Sequence, residues 1–463
     1  MKYNISVKQF IEESKTGNIN YEDFLARLKT EMHRLQKKYS LFQCINDTKG
    51  ATSSPSLFGL PISAKDNICV RGVQSSAGSR ILDGYIPPFD ATCVTRIRSE
   101  SGMIIGKTNQ DEFGFGTFSV NSGYGVPKNP LDITRTCGGS SGGAAGLVAA
   151  LGMPHVALAE STGGSISCPA AFCNVVGLTP TYGLVSRYGL IDYANSLDKI
   201  GPIGKSVHDA ALLLSIIAGH DKNDSTSIKR ERYDYTKHLG KKDLKGFRIA
   251  VPKEYFKNID KKVEKAVWAA IHRMEELGAT YKEVSLPHTK YALSSYYIIA
   301  TSEASTNLAR YCGLRYGLHA ELKGNFNEYF SDVRSAGFGD EAKRRIILGT
   351  FARMSGYRKA YYLKAMQVRT LIINDFKKAF KKFDIIAAPT MPILPPKFSA
   401  IKKLKPAEIY QMDILTVPPN LAGIPMLSMP AGKMTGLHLM AGHTNEATLI
   451  EVADTLERNL KWS

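Results

Sequence analysis

The segment CGGSSGGAAGLVAALGMPHVALAESTGGSISCP, residues 137–169, decides how the rest of this 463-residue chain is read. It sets two glycine-flanked serines, Ser140 and Ser165, on either side of a short apolar spacer. Glycine lets backbone N–H groups approach a ligand closely, so a Gly-Gly-Ser turn presents a hydroxyl beside open amide donors, as acyl transfer requires. Dense glycine and serine usually mark a flexible loop, but linkers of that kind are polar and this spacer is not. Residues 144–151 are predicted to form a short helix launched from the Ser140 loop, and residues 156–159 a strand running into residues 161–165. That arrangement brings the two serine loops close together.

Working outward, GLPISAKDNI (residues 59–68) alternates Ile62 and Ala64 with Ser63 and Lys65, which predicts a strand with Lys65 near its end, beside Asp66. Most lysines in such places are solvated charges; two serine loops in need of a base raise the standing of this one. GMIIGKTN (residues 102–109) reads as a buried strand, followed by the glycine-aromatic loop DEFGFGTFSVNSGYG. Near the N-terminus Phe10, Ile11, Phe24, Leu25, Leu28, Met32 and Leu35 recur at helical spacing over residues 7–39, predicting two amphipathic packing helices. Residues 206–218 carry a cap at Ser206 with Asp209 three positions on, and residues 260–278 show one apolar face. Strands are predicted in GFRIAVPKE and over residues 384–390, 426–429 and 437–441. Between them, residues 219–246 shift to charged and polar composition and read as a linker-like excursion. Strands interleaved with helices along the whole chain predict an α/β fold with one extended sheet. The organisation expected is an N-terminal helical segment over residues 1–56 and a single continuous domain over residues 57–463.

Composition narrows the function classes. Lys and Arg number 60 against 42 Asp and Glu, a net charge of +18, which permits a polyanionic partner such as nucleic acid without establishing one. Seven scattered cysteines without a Cys-x-x-Cys pair indicate neither a disulfide framework nor a zinc site, and no metal is expected. No apolar run is long enough to span a membrane, since Pro154 and His155 interrupt residues 146–159. Residues 1–14 lack an apolar secretory core and carry Glu12 and Glu13, unlike a transit peptide.

Two serine chemistries compete. Residues 138–142 match the G-x-S-x-G elbow, which needs a strand before it, a helix after it, and an acid and a histidine downstream; Asp384 or Asp413 and His438 or His443 are available. The alternative makes Ser165 the nucleophile, with the N–H groups of Thr162, Gly163, Gly164 and Ser165 as oxyanion donors, Ser140 as proton relay and Lys65 as base. A lysine acts as a base only as the free amine, so this arrangement requires Lys65 to be buried and hydrogen-bonded to Ser140.

GLPISAKDNI, GKTNQDEFGFG, CGGSSGGA and STGGSISCPAAFCNVVGLTPTYGLVSRYGLI together resemble the amidase signature family. Within it, IDYANSLDKIGPIGKSVHDAALLLSIIAGHDKNDSTS, SSYYIIATSEASTNLARYCGLRYG, KRRIILGTFARMSGY and ILTVPPNLAGIPMLSMPAG are similar to the A subunits of glutamyl-tRNA(Gln) amidotransferases. The resemblance runs from Leu57 to the C-terminus. It implies one large mixed sheet covered on both faces by helices, and a glutaminase that forms an acyl-enzyme at Ser165. Ammonia would pass to a partner, the B subunit, which uses ATP and Mg²⁺ to convert Glu-tRNA(Gln) to Gln-tRNA(Gln); no cofactor is implied for this chain itself. A small third subunit, C-like or lineage-specific, would complete the assembly. By motif position Lys65, Ser140 and Ser165 take the catalytic roles, Arg345 pairs with the glutamine carboxylate, Asp413 meets its α-amino group and Tyr296 lines the pocket. A zwitterionic substrate calls for one fixed cation and one fixed anion, which agrees.

The chain departs from the family's usual Asp-Thr-Gly-Gly-Ser-Ile-Arg-Gln-Pro in having Ser161, Ser167 and Cys168 for the Asp, Arg and Gln, and Cys137 replaces a usual proline. Those positions normally brace the nucleophile loop, so a lowered rate or altered packing is expected. A shorter region before Leu57 and the basic charge point to a mitochondrial matrix protein, the alternative being a bacterial cytoplasm. The rival functions are a freestanding amidase for a small amide and a catalytically impaired scaffold subunit.

Overall fold

The computed structural model describes residues 3–46 and 56–460; residues 47–55 of the expected N-terminal segment lie outside the described residues. Eleven strands form a single sheet: β1 Phe42–Ile45, β2 Pro61–Lys65, β3 Met103–Thr108, β4 Val156–Ser161, β5 Val176–Thr179, β6 Lys199–Gly204, β7 Arg248–Pro252, β8 Thr280–Val284, β9 Ile385–Pro389, β10 Met426–Gly432 and β11 Thr435–Ala441. Their spatial order is β1-β3-β2-β4-β6-β5-β10-β11-β9-β7-β8. Two parallel regions, β3-β2-β4 and β9-β7-β8, flank a central antiparallel run. The fold is therefore α/β with one large mixed sheet, as the sequence predicts.

The alternation over residues 62–65 does not sort these residues into an inner and an outer face. Every residue of β2 is buried, because β2 lies between β3 and β4 with chain packed against both faces. The predicted amphipathic helices form as Val7–Lys15 and Tyr21–Tyr39, and their Phe10, Phe24, Leu28 and Leu35 join the same core as β2 and β3. The N-terminal segment also supplies β1, which pairs antiparallel with β3. Asp260 caps the helix Lys261–Glu276 and Ser206 caps Val207–Ile217, each through a side-chain oxygen that accepts a backbone N–H.

Residues 219–246 are not a free linker. Tyr235 and Leu244 are buried in the main core, and a 3₁₀ turn at Tyr235–His238 packs beside the helix Val207–Ile217. The polar composition belongs to the outer surface of an embedded crossover. Edge strand β8, TYKEV, escaped the sequence reading for a related reason: no residue of it is fully buried, so it shows no apolar run. None of the helices among the described residues is long and apolar enough to cross a membrane.

The sheet topology positions the site. Strands β2 and β4 are parallel neighbours in register, Ile62 opposite Val156 and Ala64 opposite Leu158. Their C-terminal ends therefore lie side by side, and Lys65, which closes β2, faces the residues that lead out of β4. Loops beyond the carboxyl ends of neighbouring parallel strands are where α/β sheets build their sites.

Candidate active site

The chain leaves β4 through Glu160 and Ser161, turns through Thr162, Gly163, Gly164 and Ser165, and enters the helix Ser167–Phe172. The Ser140 loop meets it from the other side and enters Gly142–Ala150. The turn is tight: a Cβ on Gly163 would lie 2.5 Å from the Tyr296 hydroxyl, so only glycine fits there. Two backbone-directed bonds tie the loops together, Ser141 N–H donating to Ser165 O at 3.3 Å and Ser141 Oγ to Glu160 O at 3.1 Å.

Lys65 is fully buried, and its Nζ has three acceptors: Ser140 Oγ at 2.7 Å, Glu160 O at 3.0 Å and Glu160 Oε2 at 2.9 Å. This meets the geometric requirement set by the sequence, burial together with a direct bond to Ser140. Of the three acceptors only the Ser140 hydroxyl can also donate, so it alone can return a proton to a free amine. Ser165 differs from its two partners in access, being 7% exposed where Lys65 and Ser140 are at 0%. No bond joins its Oγ to a protein group among the described residues. The relay contact from Ser165 to Ser140 is thus open in this geometry, as catalytic hydrogen bonds often are before substrate arrives.

The four oxyanion donors expected at this turn are not equivalent. Gly164 N–H donates to Ser161 Oγ at 3.1 Å, whereas the N–H groups of Thr162, Gly163 and Ser165 reach no protein acceptor among the described residues. An oxyanion hole built here draws first on those three. That same bond shows what Ser161 does in place of the family's usual Asp: a short hydroxyl still holds the turn. Ser167 Oγ lies 3.3 Å from His438 Nε2, and Cys168 Sγ lies 3.5 Å from Thr117 O, so both other departures are also bonded into the structure.

The competing elbow is not assembled. Between β3 and Gly142–Ala150 the described residues form no strand, only isolated bridges of Lys128 with Thr136 and of Arg135 with Lys397. His438 bonds Ser167 and not Ser140, and its burial lowers its pKa to about 3, which leaves it uncharged. Asp384 sits at the surface in a 2.9 Å pair with Arg248, and Asp413 belongs to a different cluster.

That cluster lies beside the Ser165 turn, where the helices Ala292–Asn307 and Asp340–Arg353 meet the 3₁₀ turn Gln411–Asp413. A Cβ on Gly349 would meet Thr301 O at 1.8 Å, so a glycine is required for the two helices to approach this closely. Arg345, 3% exposed, donates from Nε to Glu341 Oε1 at 2.8 Å and from Nη1 to the Tyr193 hydroxyl at 2.6 Å. Its guanidinium lies 5.1–5.5 Å from the ring centroids of Phe115, Tyr193, Tyr297 and Tyr410. Burial works against the charge, but Tyr193, Tyr297, Glu341 and Tyr410 outweigh it and hold Arg345 firmly protonated. Nη2 donates to no protein group among the described residues, which leaves one edge of the guanidinium for a ligand.

Asp413 Oδ2 accepts from the Tyr297 hydroxyl at 2.7 Å and from Thr117 Oγ1 at 3.0 Å. Burial raises its pKa to about 6, against the lowering effect of those two bonds and of Arg345. Tyr296, the residue expected in the pocket, faces Gly163; its neighbour Tyr297 carries the Asp413 contact and stacks on Tyr410 at 4.2 Å. Sequence reasoning missed Tyr297, Tyr193, Glu341 and Tyr410: Tyr193 lies in the chain between β5 and β6 and the others on helices, where a lone tyrosine or glutamate carries no local signal of its role.

Asp111, in the GKTNQDEFGFG segment, was also missed. It accepts from Ser119 N at 2.9 Å and Asn121 N at 2.8 Å, and burial raises its pKa to about 7. Its backbone N–H donates to Ser140 O at 3.2 Å, so the glycine-aromatic loop buttresses the relay serine. Among the described residues there is no group of three or more His, Cys, Asp or Glu that could hold a metal ion, and the seven cysteines are unpaired.

Fold and site together are those of an amidase, and the chain belongs to the Amidase family, whose match spans residues 7–450. It is 45% identical to the A subunit of the glutamyl-tRNA(Gln) amidotransferase of Halothermothrix orenii, over 99% of this chain and 98% of that protein. It is 48% identical to the protein of the same name from Methanosarcina mazei, over 98% and 96%. The crystal structure of the corresponding protein from Thermotoga maritima superposes with a TM-score of 0.82 at 36% identity, covering 97% of this chain and 94% of that one. The chain is accordingly an amidase signature enzyme of the carbon–nitrogen ligase and amidase type.

Proposed function

We propose that this chain is the glutaminase subunit of a glutamine-dependent, ATP-requiring glutamyl-tRNA(Gln) amidotransferase. One observation carries the choice of glutamine: a buried, permanently charged Arg345 and a half-buried Asp413, both packed on Tyr297, border the nucleophile turn. An amino-acid zwitterion offers a carboxylate to the open Arg345 edge and an ammonium to Asp413, leaving its side-chain amide to reach Ser165. A small neutral amide would leave both charges unanswered.

In this reading Lys65, as the free amine, takes the Ser140 proton while Ser140 takes that of Ser165. Ser165 Oγ attacks the amide carbon, and the N–H groups of Thr162, Gly163 and Ser165 receive the oxyanion, with Gly164 among them. Return of the proton releases ammonia and leaves the γ-glutamyl ester on Ser165, which water hydrolyses. Ammonia then passes to the B subunit, which with ATP and Mg²⁺ amidates Glu-tRNA(Gln), and a small third subunit completes the complex. The net charge of +18 suits an assembly that handles tRNA. The setting proposed is the mitochondrial matrix, or alternatively a bacterial cytoplasm; fractionation of the source cells distinguishes them.

Asp413 supplies the test. Its carboxyl titrates at about 6, so below that pH it protonates and loses the charge that receives the α-ammonium. The kcat/KM for glutamine is expected to fall as pH drops through about 6, by way of a rising KM. Asp413→Asn is expected to raise KM at least ~10-fold at neutral pH and to remove that limb. A KM for glutamine that Asp413→Asn leaves unchanged would rule out this pocket as the glutamine site.

A further inference from the structure

An acidic group that the amide chemistry above does not use lies directly beneath the triad. Glu160 is 1% exposed, and its Oε2 accepts from Lys65 Nζ at 2.9 Å and from Asn67 Nδ2 at 3.1 Å. Its Oε1 lies 2.8 Å from Thr162 Oγ1, and that same hydroxyl lies 2.7 Å from Asp198 Oδ1. A threonine has one O–H proton and can donate to only one of two carboxylates. The second short contact closes only if one of the acids carries a proton. The geometry favours Asp198 as that acid, because Glu160 faces the Lys65 cation at 2.9 Å; burial, then the charge of Glu160, also drive the Asp198 carboxyl above the usual range, although Tyr193 N and Ala194 N donate to it. The chain of donors then runs from Asp198 to Thr162, from Thr162 to Glu160 Oε1, and from Lys65 to Glu160 Oε2, so the negative charge rests on Glu160.

We infer that Glu160 is a positioning residue for the base: its carboxylate, oriented by Thr162 and Asp198, holds the ammonium form of Lys65 and thereby sets the pH at which Ser165 is primed. The Glu160 carboxylate and Lys65 Nζ meet at 2.9 Å in a site closed to water, where their coulombic attraction is strong. Other charged groups face this centre. Asp198 and Lys199 stand at the start of β6, Asp111 on the loop after β3, Arg187 on the chain between β5 and β6, and Arg345 on the helix Asp340–Arg353. Lys199 needs a control of its own, because its buried Nζ has no hydrogen-bond partner among the described residues and burial lowers it to about 7.

The inference rests on the proposed roles of Lys65, Ser140 and Ser165, so its test avoids glutamine. A small uncharged fluorophosphonate forms a bond from Ser165 Oγ to phosphorus, fluoride leaves, and the Oγ proton passes through Ser140 to Lys65. It does not engage Asp413. Labelling rates of the full chain are read by intact mass against pH, with Ser165→Ala as the blank. Removing the carboxylate charge removes its hold on the ammonium, so in Glu160→Gln the acid limb is expected to move to lower pH by at least about one unit. Glu160→Asp, which draws the charge back by one methylene, is expected to place the limb between the two, and it serves as the test if Glu160→Gln does not fold. Lys199→Met is expected to leave the limb in place. An unmoved limb in a folded Glu160 variant, a limb that follows Lys199, or a wild-type Ser165 that does not label overturns the inference. Labelling that depends on Glu160 in a chain that does not hydrolyse glutamine would overturn the glutaminase reading and leave this one standing.

Discussion

Ser165→Ala is expected to abolish glutamine-dependent formation of Gln-tRNA(Gln) by the assembled complex, by at least ~10³-fold in kcat, and to leave ammonium-dependent formation close to wild type. The two halves separate because, in the proposed complex, Ser165 only liberates ammonia and the partner performs the amidation. Saturating ammonium therefore bypasses the lesion. Ser165 sits on a turn whose backbone bonds, Gly164 N–H to Ser161 Oγ and Ser141 N–H to Ser165 O, do not involve its hydroxyl, so loss of Oγ removes chemistry without loosening the turn. Residues of one proton relay act as a unit, so Ser140→Ala combined with Ser165→Ala is expected to be no worse than Ser165→Ala alone. The measurement is single-turnover tRNA amidation with glutamine or ammonium as the nitrogen source. Undiminished product from glutamine in Ser165→Ala would instead favour a scaffold whose activity has been lost to Ser161, Ser167 and Cys168. Their positions argue against such a loss, since each is bonded into the loop that its family counterpart would brace.

How much of this site could be read in the sequence depended on where each residue draws its meaning. Ser140, Ser165 and Lys65 stand in short segments whose glycines or strand pattern announce a turn or a strand end, so local sequence was enough. The helix Gly142–Ala150 and strand β4 between the serines were legible for the same reason. Glu160 lay in full view within the opening segment but signalled nothing, and Thr162 was read only for its backbone N–H. Their roles depend on Asp198, 36 residues beyond Thr162, and on Lys65, 95 residues before Glu160. The Arg345 cage is assembled from Phe115, Tyr193, Tyr297 and Tyr410, four residues brought together only by the crossing of helices over the sheet. Tyr297 shows the limit: only its neighbour Tyr296 was expected to line the pocket, adjacent residues on a helix point about 100° apart, and no local pattern says which of them bonds Asp413. The elbow pattern at residues 138–142 was a true local match that failed in three dimensions, because no strand leads into it and His438 is committed to Ser167.

Lys65→Met is expected to produce the largest combined loss, abolishing Ser165 labelling and glutamine hydrolysis while also destabilising the fold. The stem length is kept, but the only cation within ion-pair distance of Glu160 among the described residues is removed, and a buried carboxylate is left facing a thioether. Breaking a fully buried pair on one side typically costs ~3–5 kcal/mol, whereas removing both charges is often neutral or stabilising. The double variant Lys65→Met, Glu160→Gln is therefore expected to recover most of the lost thermal stability and none of the activity. The carboxamide introduced by Glu160→Gln would still accept and donate toward Asn67 and Thr162, so the polar chain beneath the turn would remain satisfied. This separation isolates the base from the scaffold: if lysine served only to neutralise Glu160, the double variant would label at Ser165 as fast as wild type. Scanning calorimetry on the two variants, beside the labelling rate, reads both quantities. Recovery of stability with no return of labelling would leave Lys65 as the base, because nothing else within hydrogen-bond reach of Ser140 Oγ among the described residues can accept its proton.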